Sequence, residues 1–191
     1  MDIPTPSNHE IERYLNEWKG NEKFVMQEKS IDKLFTDLFP DNTDIEGILI
    51  KASVLNDFYS TNIFSIFDIA KHIVGLNIDE RLKKGDEQLV SEIGHIEIKE
   101  KKRYLYSFAT KYCSHHNPVA FPIYDSYISK VLMYFKSMDR FAKFTQNDLR
   151  DYPKYKNILE KFKEYYEITS HNYKEIDMYL WQLGKKFFLK K

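Results

Sequence analysis

The chain has 191 residues, 42% of them hydrophobic and 16% aromatic, which is enough apolar material for a buried core and a length suited to one domain, 1–191. Its 29 basic residues balance 29 acidic ones, so no global positive charge announces a polyanionic partner, and any nucleic-acid site has to be a local patch. The single cysteine, Cys113, excludes an internal disulfide and any four-cysteine zinc or iron–sulfur site supplied by this chain, and fits a reducing compartment.

The N-terminus, MDIPTPSNHEIERYL, lacks the basic flank and apolar core of a secretory signal. No apolar run reaches the roughly 18 residues that a membrane span needs, so a soluble cytoplasmic protein is expected. Ser7 and Glu10 form an S-x-x-E capping box that opens a first helix to about Trp18. A second helix is expected from near Lys23 to Phe39, with Ile31, Leu34, Phe35 and Leu38 on one face, and it stops at Pro40. Thr43 to Glu46 is a second capping box, opening a third helix through Ile48, Leu49, Ala52 and Leu55. After a short connection over 56–61, a fourth helix runs from Asn62 through Ile66, Ala70 and Ile73 and closes at Gly75.

Signals weaken between Gly75 and Lys102. Asp86 is placed to cap a short helix ending at Gly94, and HIEIKEKKR reads as extended or irregular. Helical spacing returns over Arg103–His116 and ends at Asn117-Pro118. The segment AFPIYDSYISKVL opens another helix, and two more are expected over about 153–168 and 172–185. With no hairpin signal between alternating strands, the expected fold class is all-α, a globular array of eight or more short helices.

Glycine-rich phosphate loops, H-E-x-x-H and G-x-S-x-G motifs are absent, and no cluster has metal-ligand spacing, so neither a metal nor an organic cofactor is implied. His115 and His116 are adjacent and so point to different faces of a helix, which suits carbonyl contacts at its end better than chelation. Cys113 reads as a small buried hydrophobe. Positive charge concentrates in KEKKR (Lys99, Lys101, Lys102, Arg103) and in the tail KKFFLKK. Asp125 is a strong N-cap candidate, yet Tyr124 and Tyr127 flank it, and aromatic rings around a partly desolvated carboxylate form a slot for a planar base.

The order of helix, turn and apolar-Pro followed by D-S-Y-I-S-K-V resembles the D-T-H-I-x-R-V type segment of the helix-hairpin-helix DNA glycosylase superfamily, which includes endonuclease III and the 3-methyladenine glycosylases. In that family the aspartate both caps its helix and performs the chemistry. The stretch ILIKASVLNDFYSTNIFSIFDIAKHI, 48–73, resembles the family's L-L-S-x-Q-x-T region, whose loop fills the gap left by an extruded base. The resemblance covers about 46–135, with the N- and C-terminal helices packed on that core. It implies Asp125 as the catalytic group and Phe58 at the wedge position, with Tyr59, Asn62, Tyr124 and Tyr127 as base-pocket or wedge residues. Double-stranded DNA is the implied partner, its backbone held by Lys99, Lys101, Lys102 and Arg103. Phe58 and Tyr59 read equally as core aromatics at a helix junction. The family's G-x-G turn is missing, since EIGHIEIKEKKRYLYSFATKYC holds only Gly94. The strand-cutting lysine is replaced near Ser107, with Arg103 and Lys111 one helical turn away. The expected activity is therefore a monofunctional DNA N-glycosylase, with a non-catalytic nucleic-acid or protein-interaction module on the same fold as the alternative.

Overall fold

The computed structural model describes residues 3–98 and 100–189. Among these residues the chain is mostly helical, 67% helix, with ten α-helices and two short strands, and no helix is long and apolar enough to cross a membrane. It divides into two compact units, a terminal one built from Met1–Glu22 with Pro122–Lys191 and a central one, Lys23–Phe121. The stretch 46–135 singled out from the sequence crosses that division.

Helix α1 (Asn8–Lys19) begins the terminal unit with Ser7 as its N-cap, the Ser7 hydroxyl accepting from the Glu10 amide at 3.2 Å. Among the bonds of Glu10, the Arg13 guanidinium holds its carboxylate at 2.7 Å and keeps its pKa below the usual carboxylate value. In the central unit, α2 (Glu22–Lys33) continues into a π-helical stretch, Leu34–Leu38, closed by the Phe39 amide donating to the Leu34 carbonyl at 3.0 Å. The wider winding turns Leu38 off the face shared by Ile31, Leu34 and Phe35, so those three are buried and Leu38 is exposed.

The N-cap of α3 (Ile45–Phe58) is Asp44 rather than Thr43, its carboxylate accepting from the Gly47 amide at 2.6 Å. Helix α4 (Ile66–Leu76) runs through Gly75 and closes at Asn77, which adopts the left-handed conformation in place of the expected glycine. Two short helices follow, α5 (Asp79–Lys84) and α6 (Gln88–Gly94), with Asp86 accepting from the Gln88 amide. The stretch read as extended or irregular is an antiparallel hairpin, β1 (His95–Ile98) against β2 (Lys101–Tyr104), with Glu97 opposite Lys102. The mostly helical expectation holds, and this two-stranded hairpin is the departure from an all-α chain among the described residues. The hairpin carries no Asn-Gly signal because Glu100, a residue with a β-carbon, supplies the positive φ of its turn. Helix α7 (Tyr106–His116) starts three residues later than expected because Arg103 belongs to β2. Its buried Phe108, Ala109 and Tyr112 join Ile48, Ala52 and Leu55 of α3 and Ile69 and Ile73 of α4 in the central core.

The terminal unit is completed by α8 (Ser126–Asp139), α9 (Tyr152–Tyr165) and α10 (Tyr173–Phe188), the last opened by a reciprocal capping box of Asn172 and Glu175. Helix α10 packs on both α1 and α8. Gly184 of α10 allows the close approach to α8, since a β-carbon there would lie 2.6 Å from the Tyr127 Cβ and 2.8 Å from its carbonyl oxygen. Gly184→Ala gains helix propensity of about 1 kcal/mol but forces α8 away, and overpacking of this kind costs about 1–3 kcal/mol. A lowered thermal midpoint is expected, and an unchanged or raised one refutes the close-packing account.

Candidate functional site

The segment before α8 has neither helix nor ladder to satisfy its backbone, and side chains of the terminal unit take that part. The Ile123 amide donates to the Asp177 carboxylate at 2.8 Å, and the Ile123 carbonyl accepts from the Tyr155 hydroxyl at 2.5 Å. The Pro122 carbonyl accepts from the Tyr152 hydroxyl at 3.0 Å. Two residues beyond this clamp, Asp125 has extended backbone and caps α8, its Oδ1 accepting from the Tyr127 amide at 2.8 Å. The carboxylate is half-buried, neither sealed under the core nor fully in water. Tyr124 sets its ring edge-on to Tyr155 with centroids 5.5 Å apart, and Lys130 lies 5.2 Å over the Tyr127 ring. Tyr124 is thus braced against α9 and the Asp125 carboxylate against the first turn of α8.

Phe58, Tyr59 and Asn62 belong to the central unit. Phe58 is the half-buried last residue of α3, and Asn62 is exposed with a left-handed backbone. The Tyr59 hydroxyl shares a hydrogen bond of 2.9 Å with His115 Nε2, and the Lys111 ammonium lies 5.1 Å over the Tyr59 ring. Ser107, Lys111 and His115 recur at i, i+4 and i+8 and so share one face of α7. Lys111, 2% exposed, reaches back one turn and donates to the Ser107 hydroxyl at 2.6 Å. Lys111 thus stands next to the position where the resemblance asks for an amine, but it is buried and committed to Ser107 rather than presented as a nucleophile.

The most prominent surface residue of this loop was not singled out by sequence. Phe64 is 96% exposed, next to buried Ile63. Asn56 fixes that arrangement, its Oδ1 accepting from the Ile63 amide and the Thr61 hydroxyl while its Nδ2 donates to the Ile63 carbonyl. Ser60 and Asn62 supply the left-handed turns. Hydrophobicity alone could not separate Phe64 from its neighbours, because Ile63 and Ile66 fit the same helical pattern.

Lys101, Lys102 and Arg103 are exposed along β2, and Lys99 lies outside the described residues. Cys113 is buried, and burial pushes its thiol far above the ordinary value. The adjacent histidines also divide. His116 meets the fully buried Lys51, whose ammonium donates to the Phe39 and Asp41 carbonyls at 3.0 and 2.8 Å and to Asn42 Oδ1 at 2.8 Å. His116 Nε2 lies 3.3 Å from the same ammonium, so it accepts, which leaves the ring proton on Nδ1. Asn42 is held by Asp79 through both its amide and its side chain, and the Tyr112 hydroxyl donates to Asn42 Oδ1. Burial lowers Lys51 to about 8, against the opposing pull of Asp79, Asp44 and Asp41, and burial beside Lys51 and His115 lowers His116 to about 3.

Both shifts act in one direction. The unfolded chain holds the Lys51 proton up to 10.5, so between about pH 8 and that value it binds more protons than the folded chain, and stability rises with pH. The same holds for His116 from about 3 up to its ordinary 6.5. Urea midpoints are expected to rise between pH 7.5 and 8.5, below the range in which the buried Cys113 thiol opposes the trend, and Lys51→Met is expected to flatten that rise. It should also lower stability by about 1–3 kcal/mol by leaving two carbonyls unsatisfied. A slope of equal size in the variant refutes the assignment to Lys51.

The family described as HI_0787_N, an N-terminal domain, matches residues 10–120. That stretch contains Tyr59, Phe64, Ser107 and Lys111 and stops before Asp125. A Haemophilus influenzae protein described as uncharacterized is 52% identical over 151 residues, which cover 78% of this chain and 72% of that protein. No solved structure matches.

Proposed function

The chain belongs to the HI_0787_N family, and from that premise we propose that it is a monofunctional DNA N-glycosylase, a divergent relative of the helix-hairpin-helix glycosylases that hydrolyses the bond between a damaged or mismatched base and its deoxyribose. The observation that carries the reading is the braced, half-buried carboxylate of Asp125 with Tyr124 and Tyr127 beside it. A carboxylate held by the Tyr127 amide, two residues after a clamped backbone, meets the demand for preorganisation, because it does not have to reorient as charge develops.

In the proposed reaction the target nucleotide leaves the stack and its base lodges against the tyrosines. As the glycosidic bond breaks, the base departs with the bonding electron pair and the sugar becomes cationic. The Asp125 carboxylate stabilises that cation and takes a proton from the water that adds to C1′, and the departing base is protonated in turn. The resemblance assigns the wedge to Phe58, and Phe64, six residues further on, is the more exposed ring of the central unit and competes for that role. The exposed Lys101, Lys102 and Arg103 supply backbone contacts in place of the missing glycine turn. This assigns the protein to base excision repair in the cytoplasm, with duplex DNA as its partner. The alternative, a non-catalytic binding module, is favoured by one feature, the β-hairpin that stands where the resemblance asks for a phosphate-binding turn.

A panel of lesion-containing duplexes decides between them. Base release by wild type and its loss by about 100-fold or more in Asp125→Asn, with the thermal midpoint retained, is the expected result. Binding without release supports the module, and equal release by the variant refutes the role of Asp125. Borohydride is expected to trap no adduct; an adduct lost in Lys111→Gln would make the enzyme strand-cutting. Phe64→Ala should leave stability within about 0.5 kcal/mol while weakening release, whereas Phe58→Ala should mainly destabilise. The opposite pattern returns the wedge to Phe58.

A further inference from the structure

The terminal unit has a second feature that neither basic run in the sequence announced. Residues 136–163 hold eight basic residues against four acidic ones, spread too thinly to read as a run. Folding gathers part of that charge around an open cavity of about 400 Å³ between the loop after α8 and one face of α9. Its apolar floor includes Phe144 and Ile158, both buried, and its rim carries Lys143, Lys154 and Lys161. Lys136 adds a further cation 5.3 Å over the Phe144 ring.

The rim charges are not equivalent. Lys154 is neutralised by Asp148 at 3.0 Å and Asp151 at 3.3 Å. Asp148, the carboxylate in the lining, is held by the Thr145 hydroxyl and amide as well as by Lys154, which together lower it to about 2. Its charge is therefore already matched. Lys143 and Lys161 are exposed and form no ion pair among the described residues, which leaves two uncompensated ammonium groups over an apolar floor. That combination fits a ligand with an anionic edge and an apolar body, and the cavity is of a size for one nucleotide unit.

We propose that this cavity is a phosphate-backbone subsite for DNA, with Lys143 and Lys161 binding the phosphodiester and Phe144 and Ile158 receiving the sugar or base beside it. The inference rests on the DNA-directed reading above and names a site on the terminal unit that the KEKKR hairpin does not supply. Two released counterions should appear as a change in salt dependence, which separates phosphate contacts from general destabilisation.

The test measures binding of a labelled duplex across a salt series for wild type, Lys143→Gln/Lys161→Gln and the charge-matched control Lys19→Gln/Lys29→Gln. The cavity variant should bind about tenfold or more weakly at low salt, with the slope of log affinity against log salt shallower by about 1–2. The control should follow wild type. If wild type binds no duplex at low salt, the DNA reading falls and the subsite falls with it. If wild type binds and the cavity variant keeps its slope, or the control loses as much, the subsite alone is overturned.

Discussion

The clamp on Ile123 is the constraint from which the geometry of the terminal unit follows. A chain leaving one helix and starting another has to pass through residues whose amides and carbonyls no regular element satisfies, and burying them unpaired costs about 1–3 kcal/mol per group. Here Asp177 on α10 takes the amide and Tyr155 on α9 donates to the carbonyl, so one residue's backbone ties two helices to the start of a third. Gly184 then lets α10 approach Tyr127 closely enough for that tie to be made. The position of Asp125 is a consequence, since its backbone is only two residues from the clamp and its side chain is committed to the first turn of α8.

The central unit solves a similar problem with a charge. The loop that follows the π-helical stretch offers the carbonyls of Phe39 and Asp41, and Lys51 reaches them from α3. An ammonium has three hydrogens for four nearby acceptors, so His116, the most distant at 3.3 Å, is the weakest partner. The ring is nevertheless required to stay neutral, because a second positive charge against Lys51 inside the core would be far more costly than the bond is worth. That is why the two adjacent histidines have different roles. His116 is bound to the buried network, while His115, on the face shared with Lys111, meets the Tyr59 hydroxyl at the rim.

Local chemistry was legible in the sequence wherever it was self-contained. The N-caps at Ser7 and Asp125, the stop near Pro40 and the helical spacing of α8 and α10 all follow from residues within one or two turns of each other. Features that depend on partners distant in sequence were not legible. A lysine at 51 on α3 gives no sign that it will satisfy a loop ten residues back. The hairpin was hidden because its turn uses Glu100 at positive φ, a choice that local preference disfavours. The closure of α4 moved from Gly75 to Asn77 for a related reason, asparagine being the next best residue for a left-handed position and tertiary packing deciding between them. Of the site, the aspartate and its tyrosines were visible as a motif, whereas the clamp that makes the motif rigid came from residues 30 and more positions away.

Phe64 illustrates the limit most clearly, because its character lies in its surroundings and not in its identity. A phenylalanine on a mobile loop could fold back and bury its ring, recovering part of the transfer free energy of about 2 kcal/mol that full exposure forfeits. This loop denies it that escape. Asn56 ties the Ile63 amide and carbonyl, Ile63 is anchored in the core, and two left-handed residues fix the approach, so Phe64 is held outward at 96% exposure. Three polar contacts of Asn56 and two left-handed backbone positions are spent on keeping an apolar ring in water. Such an arrangement is stable only because the rest of α3 and α4 supports it, and it leaves the surface with an apolar projection whose backbone is already fixed.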